Sequence, residues 1–108
     1  MIGDRVTVMV DRPLGSRHPS HPHRVYPVNY GYVPETLAPD GEEQDAYILG
    51  VSEPLAAFTG ELIAVIRRKN DVEDKWVVAP EGLSFTPEQI RAAIAFQEKY
   101  FDIEVITS

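Results

Sequence analysis

The chain contains no cysteine, so neither disulfides nor thiolate metal ligands take part in its fold or chemistry. That usage suits a reducing compartment. No apolar stretch approaches the roughly 18–20 residues that cross a bilayer as a helix. The first thirteen residues are interrupted early by Asp4 and Arg5 and do not read as an export signal. The expectation is a soluble, cytoplasmic protein with no membrane partner. Positive charge is scarce: ten Lys and Arg stand against seventeen Asp and Glu, a net charge of −7. Nucleic-acid binding needs a basic face, so this balance argues against a nucleic-acid partner. The remaining composition, 44% hydrophobic and 25% charged, is that of an ordinary globular chain, and 108 residues suit one domain with a single core.

Residues 5–11 alternate β-favouring side chains and read as a strand. The following run, RPLGSRHPSHPH over residues 12–23, has three prolines and a glycine, which exclude regular structure, and it holds all three histidines. Residues 24–33 are aromatic and extended, with Pro27 marking a bulged or edge segment. Residues 34–44 form an acidic loop with turn chemistry at Pro39-Asp40-Gly41. Strands are predicted over 45–51, 61–68 and 75–79, the last two joined as a hairpin through a turn at Asn70-Asp71. Thr86, Pro87 and Gln89 spell a helix start with a capping box, and Ile90, Ala93, Ile94, Gln97 and Phe101 recur at helical spacing. A helix is therefore predicted near 87–100, and the tail DIEVI reads as a final short strand. The pattern is mainly β with one C-terminal helix, an α+β chain in which a small barrel is capped by that helix.

Four groups of residues carry chemistry. Asp40-Gly41-Glu42-Glu43-Gln44-Asp45 sets four carboxylates within six residues. Hard oxygen donors at irregular loop spacing suit Mg²⁺ or Mn²⁺; a solvated acidic loop is the plainer reading. Asp71, Glu73 and Lys75 alternate onto one face if the strand begins at the turn, with Asp74 opposite. Lysine beside carboxylates suits a metal-phosphate site, because it neutralises anionic oxygens; a surface hairpin with ordinary charge pairs is the plainer reading of the same residues. Tyr26, Tyr30 and Tyr32 offer phenol donors or a packed aromatic face. His18, His21 and His23 have spacings compatible with zinc or with phosphate contact, and also with a proline-rich surface loop.

The order of these groups is more specific than any one of them. Tyr26-Pro27-Val28-Asn29-Tyr30-Gly31-Tyr32, Thr36-Leu37, Asp40 to Asp45, Lys75 to Pro80 and Phe96-Gln97-Glu98-Lys99-Tyr100 together resemble the soluble (family I) inorganic pyrophosphatases, in a short, divergent form. The resemblance spans roughly residues 24–101. It implies an OB-like five-stranded β-barrel and hydrolysis of inorganic pyrophosphate to two phosphates by a metal-activated water, with Mg²⁺ as cofactor and Mn²⁺ as a possible substitute. It implies Asp40, Asp45 and Asp71 as metal ligands, with Glu73 or Asp74 as a fourth. Lys75, Tyr30 and Tyr100 would contact phosphate, and Glu42 would orient the attacking water or accept its proton.

Three departures from the family pattern stand out. Glu42 replaces an aspartate. Phe101 follows Tyr100 where the family usually has a phosphate-binding lysine. A long N-terminal hairpin is compressed into residues 11–23, so Asp11 reads as the replacement for a glutamate, while Arg12, Arg17, His18, His21 or His23 would supply the missing positive charge. The readings left open are a pyrophosphatase, a hydrolase of another phosphoanhydride such as a nucleotide or polyphosphate, and a non-catalytic phosphate- or metal-binding module. Bacterial members of the family form hexamers, so the resemblance also implies a homo-oligomer.

Overall fold

The structure is a computed structural model that describes all 108 residues. In chain order the elements are β1 (Arg5–Arg12), β2 (Asn29–Val33), β3 (Gln44–Ile48), β4 (Ala57–Arg68), β5 (Asp74–Ala79), α1 (Pro87–Glu98) and β6 (Ile103–Ile106). The sheet runs β1-β2-β3-β5-β4-β6, and β1 also pairs with β4, which closes the first five strands into a barrel. All pairings are antiparallel except β3 with β5. This is the expected five-stranded barrel with one helix. No helix is long and apolar enough to cross a membrane.

Strand alternation divides the core in two. Val8, Val33, Ala46, Ile48 and Val78 fill the barrel interior. Their neighbours Tyr47, Leu49, Ala64, Ile66 and Val77 point to the outer face, where Ile90 and Ile94 of α1 and Ile103 of β6 cover them. The run Ala46 to Leu49 is apolar throughout because β3 is buried on both faces. The predicted capping box is present: Gln89 N–H donates to Thr86 Oγ1 at 3.1 Å, and Thr86 N–H donates to Gln89 Oε1 at 2.8 Å.

Several boundaries differ from the sequence reading. The helix ends at Glu98 with Lys99 as C-cap, so Tyr100 and Phe101 lie beyond it. β4 begins at Ala57, four residues before Glu61, because residues 57–61 pair with β1 to close the barrel. β5 begins at Asp74, so Asp71 falls in the turn and strand alternation does not extend to it. Tyr26 precedes β2 and is buried against Phe96 and Tyr30 outside any strand.

Gly31 sits where β1 crosses closely over β2. A Cβ there would land on the carbonyl oxygen of Met9 and 2.8 Å from Val10 Cα, both rigid backbone atoms. Glycine is thus required by approach rather than by a left-handed conformation. A second constraint ties α1 to the barrel. Glu98 on the last helical turn is 1% exposed. It accepts from Arg68 Nε at 2.9 Å, Arg68 Nη2 at 2.7 Å and Tyr47 hydroxyl at 2.6 Å. Gln97 extends the network by donating to the Tyr47 hydroxyl at 2.7 Å and accepting from Tyr26 at 3.3 Å.

Gly31→Ala is expected to cost at least about 1–3 kcal/mol in urea unfolding, the scale of overpacking in a rigid site; a stability equal to wild type would show that the crossing yields easily. Glu98→Gln removes the partner of a buried guanidinium and is expected to cost about 3–5 kcal/mol in the same measurement. A loss below about 1 kcal/mol would mean that Glu73 alone satisfies Arg68.

Candidate active site

Register places the polar residues of three strands beside one another on the barrel's outer face, past the edge of the apolar patch under α1. Tyr30 pairs with Tyr47, Ala46 with Trp76, and Ile66 with Lys75. Asp45 therefore stands beside Lys75, and Arg68 follows Ile66 two residues further along the same face. Lys75 Nζ donates to Asp45 Oδ2 at 2.6 Å and to Glu73 Oε1 at 3.1 Å. Arg68 donates to the other oxygen of Glu73 and pairs with Glu98 behind it.

Lys75 is 3% exposed, yet it carries its charge. Burial opposes that charge, but the hydrogen-bonded Asp45 carboxylate outweighs it and pushes the lysine pKa above its ordinary value. Arg68 follows the same pattern: burial opposes, and Glu98 and Glu73 more than compensate. Burial also raises the Tyr30 hydroxyl, so it stays protonated and remains a donor. Tyr47 is raised by burial and then by the adjacent Glu98.

Tyr30, Asp45, Arg68, Glu73 and Lys75 floor a cavity of about 440 Å³. Its other wall comes from the compressed N-terminal segment: Asp11, Arg12, His18, Arg24 and Tyr26 line it, with Gln97 and Phe101 at the helix end. An isolated bridge between Arg17 and Val25 holds this segment as a small loop. Arg17 donates to the carbonyl of Pro22 at 2.8 Å and braces the loop from outside the cavity. His18 Nδ1 accepts from the N–H groups of Ser20 and His21 at 3.0 and 3.2 Å, which assigns the ring hydrogen to Nε2. Desolvation first, then Arg24, His21 and Arg12, lower its pKa and favour the neutral ring.

The structure brings together Tyr30, Asp45, Glu73, Lys75, Asp11, Arg12 and His18 from the sequence-derived set. Between Glu73 and Asp74, it is Glu73 that reaches Lys75; Asp74 alternates to the other side of β5. Other members of the set lie outside the cavity lining. Asp40 is exposed and its Oδ1 accepts from Glu42 N–H at 3.0 Å, so the acidic loop folds on itself about Gly41, whose φ is 86°. Glu42 is exposed at that turn. Asp71 is exposed and accepts from Val72 N–H at 2.7 Å. Tyr100 is 59% exposed, His21 and His23 are exposed, and none of the three lines the cavity.

No three of the carboxylates and histidines converge on one point as a metal centre. What suits a divalent cation is the chemistry of the donors, hard carboxylate oxygens with no thiolate. Two charged cavity residues were not foreseen. Arg68 read only as a charged strand end, and Arg24 as a residue flanking the aromatic segment. The doubled arginine at the end of a strand and the arginine directly before Val25-Tyr26 were the available signals.

The family model described as inorganic pyrophosphatase matches residues 6–82. The inorganic pyrophosphatase of Neisseria meningitidis serogroup B is 32% identical over 90 residues, covering 69% of this chain and 50% of that protein. The chain thus spans half the length of this relative. The inorganic pyrophosphatase of Saccharolobus solfataricus is 32% identical over 135 aligned positions, covering 94% of this chain and 77% of that protein. The crystal structure of inorganic pyrophosphatase from Ehrlichia chaffeensis superposes with a TM-score of 0.70 at 16% identity, covering 96% of this chain and 85% of that one, a likeness of fold alone. The matched model spans the strands that carry Asp45 and Lys75, and with the two relatives it shows that the chain belongs to the inorganic pyrophosphatase family.

Proposed function

We propose that this chain hydrolyses inorganic pyrophosphate to two phosphates. The observation that carries the proposal is the buried Lys75, charged between Asp45 and Glu73 on the floor of an arginine-walled cavity. Pyrophosphate brings several negative charges to one small ligand. Lys75 and Arg68 are fixed cations on the floor, held in place by their carboxylate partners before substrate arrives, so they need no reorganisation as charge develops. Tyr30, protonated and beside both Lys75 and Asp45, donates a hydrogen bond to a phosphate oxygen.

Asp45 is one-third exposed towards the cavity. It would orient the attacking water, while Glu42, to which the motif assigned the proton, is exposed on the loop turn. Water attacks one phosphorus and gives its proton to solvent, the bridging P–O bond breaks, and the departing phosphate takes up a proton from solvent. No covalent phosphoenzyme is required. Mg²⁺, with Mn²⁺ as substitute, is the proposed cofactor. Asp45 and Glu73 would hold it from the floor and Asp11 from the opposite wall, with Asp40 and Asp71 on the adjoining loops. When bound it would offset phosphate charge and acidify a water. A homo-oligomer, hexameric by family resemblance, is the proposed assembly.

A second reading rests on one observation: the carboxylates do not gather into a three-ligand centre. A non-catalytic phosphate-binding module would show the same cationic cavity without turnover. Phosphate release from pyrophosphate separates the two. The expected result is turnover with Mg²⁺ or Mn²⁺, none in EDTA, and little with a nucleoside triphosphate. Asp45→Asn is expected to lower the rate at least about 100-fold while the protein stays folded, the scale of a misplaced reacting group. Turnover of the triphosphate alone would move the substrate to another phosphoanhydride. Tight pyrophosphate binding by folded protein with no turnover would establish the binding module.

A further inference from the structure

One carboxylate fixes the direction of a hydrogen-bond chain that crosses from the charged floor to the loop wall. Glu98, paired with Arg68, only accepts, and Arg68 and the Tyr47 hydroxyl occupy its two oxygens. The Tyr47 proton is therefore spent on Glu98, and the Tyr47 oxygen is left to accept from Gln97 Nε2 at 2.7 Å. That turns the Gln97 amide with its nitrogen towards Tyr47 and its oxygen towards Tyr26, so Tyr26 must donate, at 3.3 Å. The Tyr26 backbone in turn carries the loop. Its carbonyl accepts from Gly15 N–H at 2.7 Å, and its N–H donates to the Ser16 carbonyl at 2.9 Å. Its ring stacks parallel with His18 at 6.2 Å between centroids. Burial raises the pKa of its hydroxyl and keeps the proton in place, while Arg12 lies near enough to oppose the rise. Gln97 and Tyr26 are both buried, and both line the cavity.

We infer that Gln97 is a positioning residue for pyrophosphate binding: its amide sets the loop wall against the charged floor, through Tyr26 on one side and Tyr47 on the other. The inference deepens the pyrophosphatase reading and rests on it. The wall carries Arg12 and His18, and the floor carries Lys75 and Arg68. A ligand that touches both sides loses affinity when either one shifts. The bond from Tyr26 to Gln97 is the one hydrogen bond that joins residues 13–26 to α1; the others of this segment stay within it or reach Asn29. Tyr26 also packs edge-on against Phe96 of the helix. An apolar contact leaves a ring free to slide, whereas a hydrogen bond fixes distance and direction together.

The test is calorimetric binding of methylenediphosphonate, a non-hydrolysable analogue of pyrophosphate, with Mg²⁺ present, alongside kcat and KM for pyrophosphate. Circular dichroism checks that each variant is folded. Gln97→Met keeps the length of the side chain and removes its polar atoms. It is expected to weaken diphosphonate binding about 3- to 10-fold, the scale of one buried hydrogen bond, and to raise KM by a similar factor while kcat changes little. Tyr26→Phe should give the same loss from the other end of the bond, and the double variant should be about as weak as either single one. Gln97→Glu gives a signature that a merely structural residue would not, because its second oxygen can donate to Tyr47 only when protonated. Its affinity should match wild type at about pH 5 and fall towards that of Gln97→Met by about pH 8, each compared with wild type at the same pH. Losses that add in the double variant would overturn the inference, and so would a Gln97→Glu protein whose relative affinity ignores pH. If Gln97→Met does not fold, wild-type affinity in folded Tyr26→Phe would overturn it equally. Wild-type protein that shows this coupling in diphosphonate binding but never turns over pyrophosphate would sink the hydrolase reading and leave the positioning role standing. Turnover by wild type with a KM that Gln97→Met does not alter would sink the positioning role alone.

Discussion

A buried lysine must be paired, and the rest of the site follows from how Lys75 is paired. Taking an ammonium out of water costs several kcal/mol unless carboxylates surround it. Asp45 and Glu73 do so, and Glu73 is in turn engaged by Arg68, which needs Glu98 to be satisfied. The chain of charges therefore runs from the parallel β3–β5 pair, through the end of β4, to the last turn of α1. Removing any link leaves a buried charge without its partner. The same chain explains why α1 docks where it does. Its apolar residues Ile90 and Ile94 cover the barrel face, and Glu98 locks the register of the helix against Arg68 and Tyr47.

That lock also forms the cavity. With the helix end held by Glu98, Gln97 and Phe101 stand at one edge of the charged floor, and the Arg68 guanidinium lies 3.7 Å from the centroid of the Phe101 ring. The N-terminal loop closes the other side, packed through Tyr26 onto Phe96 and Tyr30. Phe101 stands where a cation was expected from the family pattern, and the positive charge at that edge comes instead from Arg68 beneath the ring. Four cations and three carboxylates line the cavity, a formal excess of one positive charge in a chain that is acidic as a whole.

Much of this was legible in the sequence because it is local. The Thr86 capping box, the β4–β5 hairpin and the alternation of Asp45 with Tyr47 each depend on neighbours within a few residues. Glycine at position 31 follows from a strand crossing that the sequence does not display, although the motif carrying it was recognisable. The misplacements have a common cause. Asp71 was put on the face of Glu73 and Lys75 by extending alternation into what is a turn, and Tyr100 was read as part of a helix that stops at Glu98. Arg68 and Glu98 were invisible as a pair because thirty residues separate them and each alone resembles a solvated surface charge. Arg24 was overlooked beside the histidines, since only the folded loop shows that it lines the cavity while Arg17 braces the outside.

The account depends most directly on Lys75 as the fixed cation at the centre of the site. Lys75→Met keeps the length of the side chain and removes its charge. Circular dichroism would establish that the variant is folded, and phosphate release from pyrophosphate with Mg²⁺ would measure its rate. The predicted result is a folded protein whose turnover falls on the order of 100- to 1,000-fold, as when a preorganised donor to a developing anion is lost. A folded Lys75→Met protein that hydrolyses pyrophosphate at the wild-type rate would contradict the account.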